Sequence, residues 1–73
     1  MAEGTITNNI RKLRFLNGEI TQQELADMVG ATRQTIHAIE AAKYSPSLVL
    51  AFKISKAFNM PIEKVFMYNQ HEE

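Results

Sequence analysis

The sequence predicts an all-α fold of five short helices, to which a short terminal β-ribbon can be added. Three observations carry that prediction. Apolar residues recur at i, i+3 and i+4 within short stretches, the period of a helix with one buried side. Four of the five stretches open on Asn, Thr or Ser and three close on Asn or Gly, residues that satisfy the free backbone groups at helix ends. The chain is 73 residues long and 45% hydrophobic, which suits one domain over 1–73 and is too apolar for disorder.

The first helix is expected over about 9–16. Asn8 and Asn9 are good caps, Ile10, Leu13 and Leu16 share a face, and Asn17-Gly18 supplies a left-handed stop. The second is expected over about 22–28. Thr21 and Glu24 have capping-box spacing, and Ile20 and Leu25 have the spacing of a hydrophobic staple. The third, about 33–41, starts after Thr32 and turns Ile36 and Ile39 inward. The fourth follows Ser47, with Leu48, Ala51, Ile54, Ala57 and Phe58 as its inward stripe and Asn59 as its end. A fifth, about 62–66, follows Pro61. Thr5-Ile6-Thr7 and Phe66-Met67-Tyr68 are β-prone and can pair as the ribbon.

Composition removes several function classes. With no cysteine, disulfides and thiolate metal sites are excluded, and the two histidines, His37 and His71, lie too far apart in sequence to suggest a metal cluster. No catalytic constellation and no glycine-rich phosphate loop is present, and the chain is short for enclosing a substrate pocket. The expectation is no enzyme, no metal, no cofactor and no small-molecule ligand. No apolar run approaches the ~18 residues of a membrane span, and the start lacks the layout of a signal peptide. A cytoplasmic protein without a membrane role is expected.

Net charge is zero, which weakly opposes nucleic acid as a partner. The distribution weakens that objection. Residues 4–62 hold seven cations (Arg11, Lys12, Arg14, Arg33, Lys43, Lys53, Lys56) and four acids (Glu19, Glu24, Asp27, Glu40), a difference of +3. The other acids, Glu3, Glu63, Glu72 and Glu73, sit near the ends, so one face can be basic in a neutral chain.

Residues 21–41 form the informative stretch. Val29-Gly30-Ala31 joins the second and third helices so briefly that they must turn sharply. Ala26 is small where two such helices meet, and Leu25, Val29, Ala31, Ile36 and Ile39 lie at spacings that seal the pair. This is a helix-turn-helix pattern. A plain helical corner would explain the apolar positions but not the polar ones. The third helix presents Thr32, Arg33, Gln34, Thr35, His37 and Ala38 instead of the Glu and Lys pairs of a merely solvated face. Arg can hold O6 and N7 of guanine, Gln can hold N6 and N7 of adenine, and Thr can touch a thymine methyl.

The run from Thr21 through Glu40 resembles the helix-turn-helix of the Cro and phage-repressor type, the XRE family. The likeness continues through Lys43-Tyr44-Ser45-Pro46-Ser47-Leu48 to Pro61-Ile62-Glu63-Lys64-Val65-Phe66 and covers about residues 8–68. It implies a lambda-repressor-like five-helix domain, dimeric on operator DNA and acting as a transcriptional regulator. Thr32, Arg33, Gln34, Thr35 and His37 would face the major groove of double-stranded DNA. Gln22, Lys43 and Tyr44 would meet phosphates, and Arg14 would pair with Glu40 to position the recognition helix. Two departures limit the transfer. Ala42 stands where the family often has Gly or Asn, which leaves the exit of the third helix open, and His37 stands where Asn is common.

The leading expectation is a repressor binding an inverted repeat as a homodimer. The alternative is an antitoxin or adaptor that holds another protein, for which the few residues after Tyr68 offer little tail. The dimer is expected to use the segment at about 60–68. Ile62, Val65, Phe66, Met67 and Tyr68 place five large side chains in seven residues, more than a one-turn helix can bury against its own domain; the alternative is that Phe66 and Val65 close the monomer core while Met67 and Tyr68 cap it. One core of this size supplies only a few kcal/mol below roughly 70–80 residues, so a partner would help.

Overall fold

Among residues 4–70, which the computed structural model describes, the chain runs β1 (Gly4–Asn8), α1 (Ile10–Leu16), α2 (Gln22–Val29), α3 (Arg33–Glu40), α4 (Leu48–Ala57), α5 (Ile62–Val65) and β2 (Phe66–Gln70). Glu3, His71, Glu72 and Glu73 lie outside the described residues. The five helices and the terminal ribbon are present, and β2 begins at Phe66, so the fifth helix ends one residue earlier than expected.

Every helix sends at least one aliphatic side chain into a shared core. Ile10, Leu25, Ile36, Ile39, Ile54 and Val65 are all less than 2% exposed. Each such burial contributes about 1.5–3 kcal/mol before conformational entropy is counted. Ala26 is also fully buried, and its lack of bulk lets α2 and α3 approach. Ser55, the one buried polar residue of the core region among those described, donates its hydroxyl to the carbonyl of Ala51 at 2.9 Å, so no polar atom is stranded there.

The helix starts follow side-chain chemistry. At α2 both halves of the capping box form: Glu24 N–H donates to Thr21 Oγ1 at 3.0 Å, and Thr21 N–H donates to Glu24 Oε1 at 2.8 Å. Thr32 and Ser47 cap α3 and α4 through Thr35 N–H and Leu50 N–H, each at 3.1 Å. At α1 the N-cap is Asn9, but the capping bond comes from the residue before it: Asn8 Oδ1 accepts from Ile10 N–H at 3.1 Å. Asn9 instead turns toward the C-terminal segment. Its backbone N–H donates to the Val65 carbonyl at 2.9 Å, and its side chain reaches the Lys64 carbonyl and the Met67 sulfur.

Two helix ends share one geometry. After α3, Ala42 takes φ 59°, Ala42 N–H donates to the Ile39 carbonyl and Lys43 N–H to the Ala38 carbonyl. After α4, Asn59 takes φ 55° with the matching pair of bonds from Asn59 and Met60. This is the left-handed Schellman closure, which favours Gly and tolerates Asn. The exit from α3 is therefore the ordinary one, made with an alanine that resists it.

The ribbon is antiparallel, with Ile6 opposite Tyr68 and Asn8 opposite Phe66. A lone two-stranded ribbon is marginal in water. This one is fastened by Asn69 Nδ2 donating to Thr7 Oγ1 at 2.9 Å and by Asn8 Nδ2 donating to the Ile39 carbonyl at 2.8 Å. The second bond joins the ribbon to the end of α3.

Two expectations about burial are corrected. Leu48 is 69% exposed and not part of the inward stripe of α4. It stands at the edge of the stripe, on the side of the exposed Phe52, while Ala51, Ile54 and Phe58 fill the core. Val65 is wholly buried in the core of its own chain and has no surface to offer a partner. Phe66, expected in the helix, is the first residue of β2 and packs partly against the core.

Ala42→Gly should raise stability by roughly 0.5–1 kcal/mol, because the left-handed penalty of about 1–2 kcal/mol exceeds the added entropy of glycine in the unfolded chain. Thr21→Ala should lower it by about 0.5–2 kcal/mol. Denaturant midpoints measure both; a loss of stability in Ala42→Gly, or an unmoved midpoint in Thr21→Ala, would contradict the two assignments.

Candidate nucleic-acid interface

The interface begins with the turn between α2 and α3. Gly30 adopts φ 73°, and both its N–H and, at 2.9 Å, that of Ala31 donate to the Ala26 carbonyl. A residue with Cβ would be strained at that φ, although the space beside Gly30 is open. The turn leaves α3 with Ile36 and Ile39 against α2 and its opposite side in solvent.

Successive helical residues rotate by about 100°. Arg33, His37 and Gln34 therefore fall within one arc of α3, and all three are exposed. Thr32 is exposed at the start of the helix. Thr35 is set apart: it is half-buried, and its hydroxyl lies 3.0 Å from that of Thr32. Ala38 is half-buried and adds no polar group. The arc carries one guanidinium, one carboxamide and one imidazole, none of them held by another side chain among the described residues. Their donors and acceptors remain available to a base edge.

Behind this arc lies a polar cluster. Arg14 Nε donates to Glu40 Oε2 at 2.7 Å and Nη2 to Oε1 at 3.1 Å, a two-bond fork between α1 and the last residue of α3. Arg14 Nη1 donates to the Ile20 carbonyl at 2.9 Å, which holds the loop before α2. Gln22 Nε2 donates to Glu40 Oε1 at 3.2 Å. The two charged side chains are 17% and 9% exposed, so the pair is mostly shielded from water. Three segments are thereby fixed to the C-terminal end of the recognition helix. Gln22, expected at a phosphate, has one amide hydrogen committed to this cluster and one free.

Lys43 and Tyr44 are exposed in the loop after α3, and the bond from Lys43 N–H to Ala38 keeps that loop against the helix end. Open grooves flank the cluster. One of about 350 Å³ is lined by Arg11, Arg14, Gln22, His37, Glu40 and Ala41. The other, about 700 Å³, lies along α1 and the loop before α2. Arg11, an exposed cation that lines both, counts in the sequence only toward the charge balance. Its only sign there is a basic residue three positions before Arg14. Among the described residues no cluster of His, Cys, Asp or Glu could hold a metal ion, and no helix is long and apolar enough to cross a membrane.

A helix-turn-helix family model matches residues 10–65, which include all five helices. This chain belongs to the XRE-type helix-turn-helix family. An HTH-type transcriptional regulator of Methanocaldococcus jannaschii, MJ0272, is 49% identical over 65 residues, 89% of this chain and 97% of that protein. YgzD of Bacillus subtilis, another HTH-type transcriptional regulator, is 51% identical over 59 residues, covering 81% of this chain and 88% of its own. Both relatives are themselves uncharacterised. Among solved structures, the restriction-modification controller protein C.AhdI of Aeromonas hydrophila superposes with a TM-score of 0.69 at 27% identity, covering 75% of this chain and 78% of that one. A Bacteroides fragilis protein shares the fold at a TM-score of 0.71 and 23% identity, over 84% of this chain and 97% of its own. The XRE-type chain is thus a transcriptional regulator with a helix-turn-helix DNA-binding domain, from a family of regulators and not of enzymes.

For this regulator, Glu40→Ala should lower stability by about 2–3 kcal/mol, below the 3–5 kcal/mol of a fully buried pair because some water reaches the site. Arg14→Met with Glu40→Leu should recover part of that loss, since no lone charge is left behind. Urea unfolding of the single and double variants measures the difference; a double variant weaker than Glu40→Ala would contradict the shielded-charge account.

Proposed function

We propose that this XRE-type regulator is a cytoplasmic repressor that binds an inverted-repeat operator as a homodimer, with one DNA-binding domain over residues 1–73. It uses no cofactor and no small-molecule ligand. The observation that carries the reading is the exposed arc of Arg33, Gln34 and His37, unengaged by other side chains among the described residues, on a helix anchored at its far end by Arg14 and Glu40. Arg33 and Gln34 read base edges in the major groove. Thr32 and Thr35 at the helix start and His37 along it complete the contact. Gln22, Lys43 and Tyr44 position the domain on phosphates, which fix register without reading sequence.

The dimer is supported by apolar surface that one chain leaves uncovered. Leu48, Val49 and Phe52 on α4 are 69%, 64% and 54% exposed. Phe52 shares an open groove with Met60 and Ile62, so the apolar surface of α4 continues to the start of α5. Ile62, Phe66, Met67 and Tyr68 remain the contributors from the 60–68 segment. Val65 belongs to the core. A two-fold axis beside this surface brings two recognition helices to one face of DNA at about 34 Å, one helical turn. C.AhdI, of the same fold, is a restriction-modification controller protein, which supports a regulatory role.

Arg33→Ala or Gln34→Ala should each cost about 1–3 kcal/mol on the best operator and relax preference at one position per half-site. Selection from a random DNA pool, followed by titration of operator and scrambled duplexes at one salt concentration, gives both quantities. Equal losses on the two duplexes would remove the readout roles, and a consensus without two-fold symmetry would remove the inverted repeat.

Ile62→Glu or Phe52→Glu should give a folded monomer with much weaker operator binding, as read by light scattering at micromolar concentration. A wild-type monomer that binds the operator undiminished would end the homodimer reading.

A further inference from the structure

The smaller groove beside the recognition helix has an unbalanced charge. Arg14 and Glu40 line it and cancel each other through two short hydrogen bonds. A third donor of Arg14, on Nη1, goes to the Ile20 carbonyl. Arg11 lines the same groove, is exposed, and makes no ion pair or side-chain hydrogen bond among the described residues. Gln22 contributes one free amide hydrogen, its other being held by Glu40. The groove thus carries one net positive charge, placed where α1, α2 and α3 meet and next to His37 of the exposed arc.

We propose that this groove seats one phosphate of the DNA backbone, with Arg11 as its charged donor and Gln22 as a neutral second donor. The proposal rests on the DNA-binding reading above and adds a contact residue to it. A phosphodiester is a singly charged anion with two free oxygens. A guanidinium presents paired donors that match it, and such charge-assisted bonds are roughly twice as strong as neutral ones. Because the cation beside the groove floor is already neutralised, Gln22 alone would offer a phosphate no net charge. Lys12, the next residue on α1, lines only the larger groove and serves as the control.

The test uses the salt dependence of binding to a duplex selected from a random pool and to a scrambled duplex of equal length. In Arg11→Gln the slope of log affinity against log salt should become shallower by about 0.9 per bound copy, with a loss of roughly eightfold per copy at 0.1 M salt on both duplexes. Arg11→Lys should keep the slope, Lys12→Gln should leave slope and affinity unchanged, and the thermal midpoint of Arg11→Gln should match wild type. An unchanged slope in Arg11→Gln with wild type still binding, or equal changes in the Arg11 and Lys12 variants, overturns the seat alone. Wild-type protein that binds neither duplex overturns the DNA-binding reading and the seat with it.

Discussion

The ion pair between Arg14 and Glu40 is the constraint on which the interface depends. Four protein groups meet there: the two charged side chains, one of them on the last residue of the recognition helix, the Gln22 carboxamide and the Ile20 carbonyl. A plain apolar contact could hold α1 to α3 with similar strength, and shielded ion pairs often add little net stability. What the fork adds is direction. Its two hydrogen bonds are satisfied at one rotation of α3, and that rotation faces Arg33, Gln34 and His37 to solvent. The apolar side of α3 sets its depth in the core, whereas the polar cluster sets its angle.

The same economy governs the rest of the surface. With 73 residues, few side chains can be spent on packing alone. Each helix gives the core one to three aliphatic residues, and the remainder divides between the recognition side and the exposed apolar face of α4. A small core and a large uncovered apolar patch are two expressions of one limit, the surface-to-volume ratio of a short chain. Pairing with a second copy, as proposed, would relieve both.

Much of this was legible in the sequence, and the parts that were not have physical reasons. The capping box at Thr21 and Glu24 depends on two local residues, and it formed as the spacing demanded. The pairing of Arg14 with Glu40 joins residues 26 apart and came only from likeness to a family. Leu48 was misread because helical spacing defines a stripe but not which edge of it the core reaches. The apolar run of 62–68 shows surplus apolar surface but not which of its residues the core takes, and the core takes Val65. Arg11 does not stand out in the sequence because its meaning lies in charge balance: it stands beside a cation that is already neutralised, and a sequence does not display which charges cancel.

The ribbon has a consequence for the order of assembly. It joins Thr7 to Asn69, 62 residues away, while the sharp turn between α2 and α3 closes over a few residues. Loop-closure entropy grows with separation, so the ribbon gains little until the helices between its strands have docked. The Asn8 side chain adds a second dependency, because its acceptor, the Ile39 carbonyl, is in place only when α3 has packed. The ribbon is therefore expected to zip last and to open first, fraying while the helical core stays intact. A hydrogen-exchange profile of the native state would then show a hierarchy, with amides of β1 and β2 exchanging by a local opening and those around Leu25, Ile36 and Ile54 only by global unfolding.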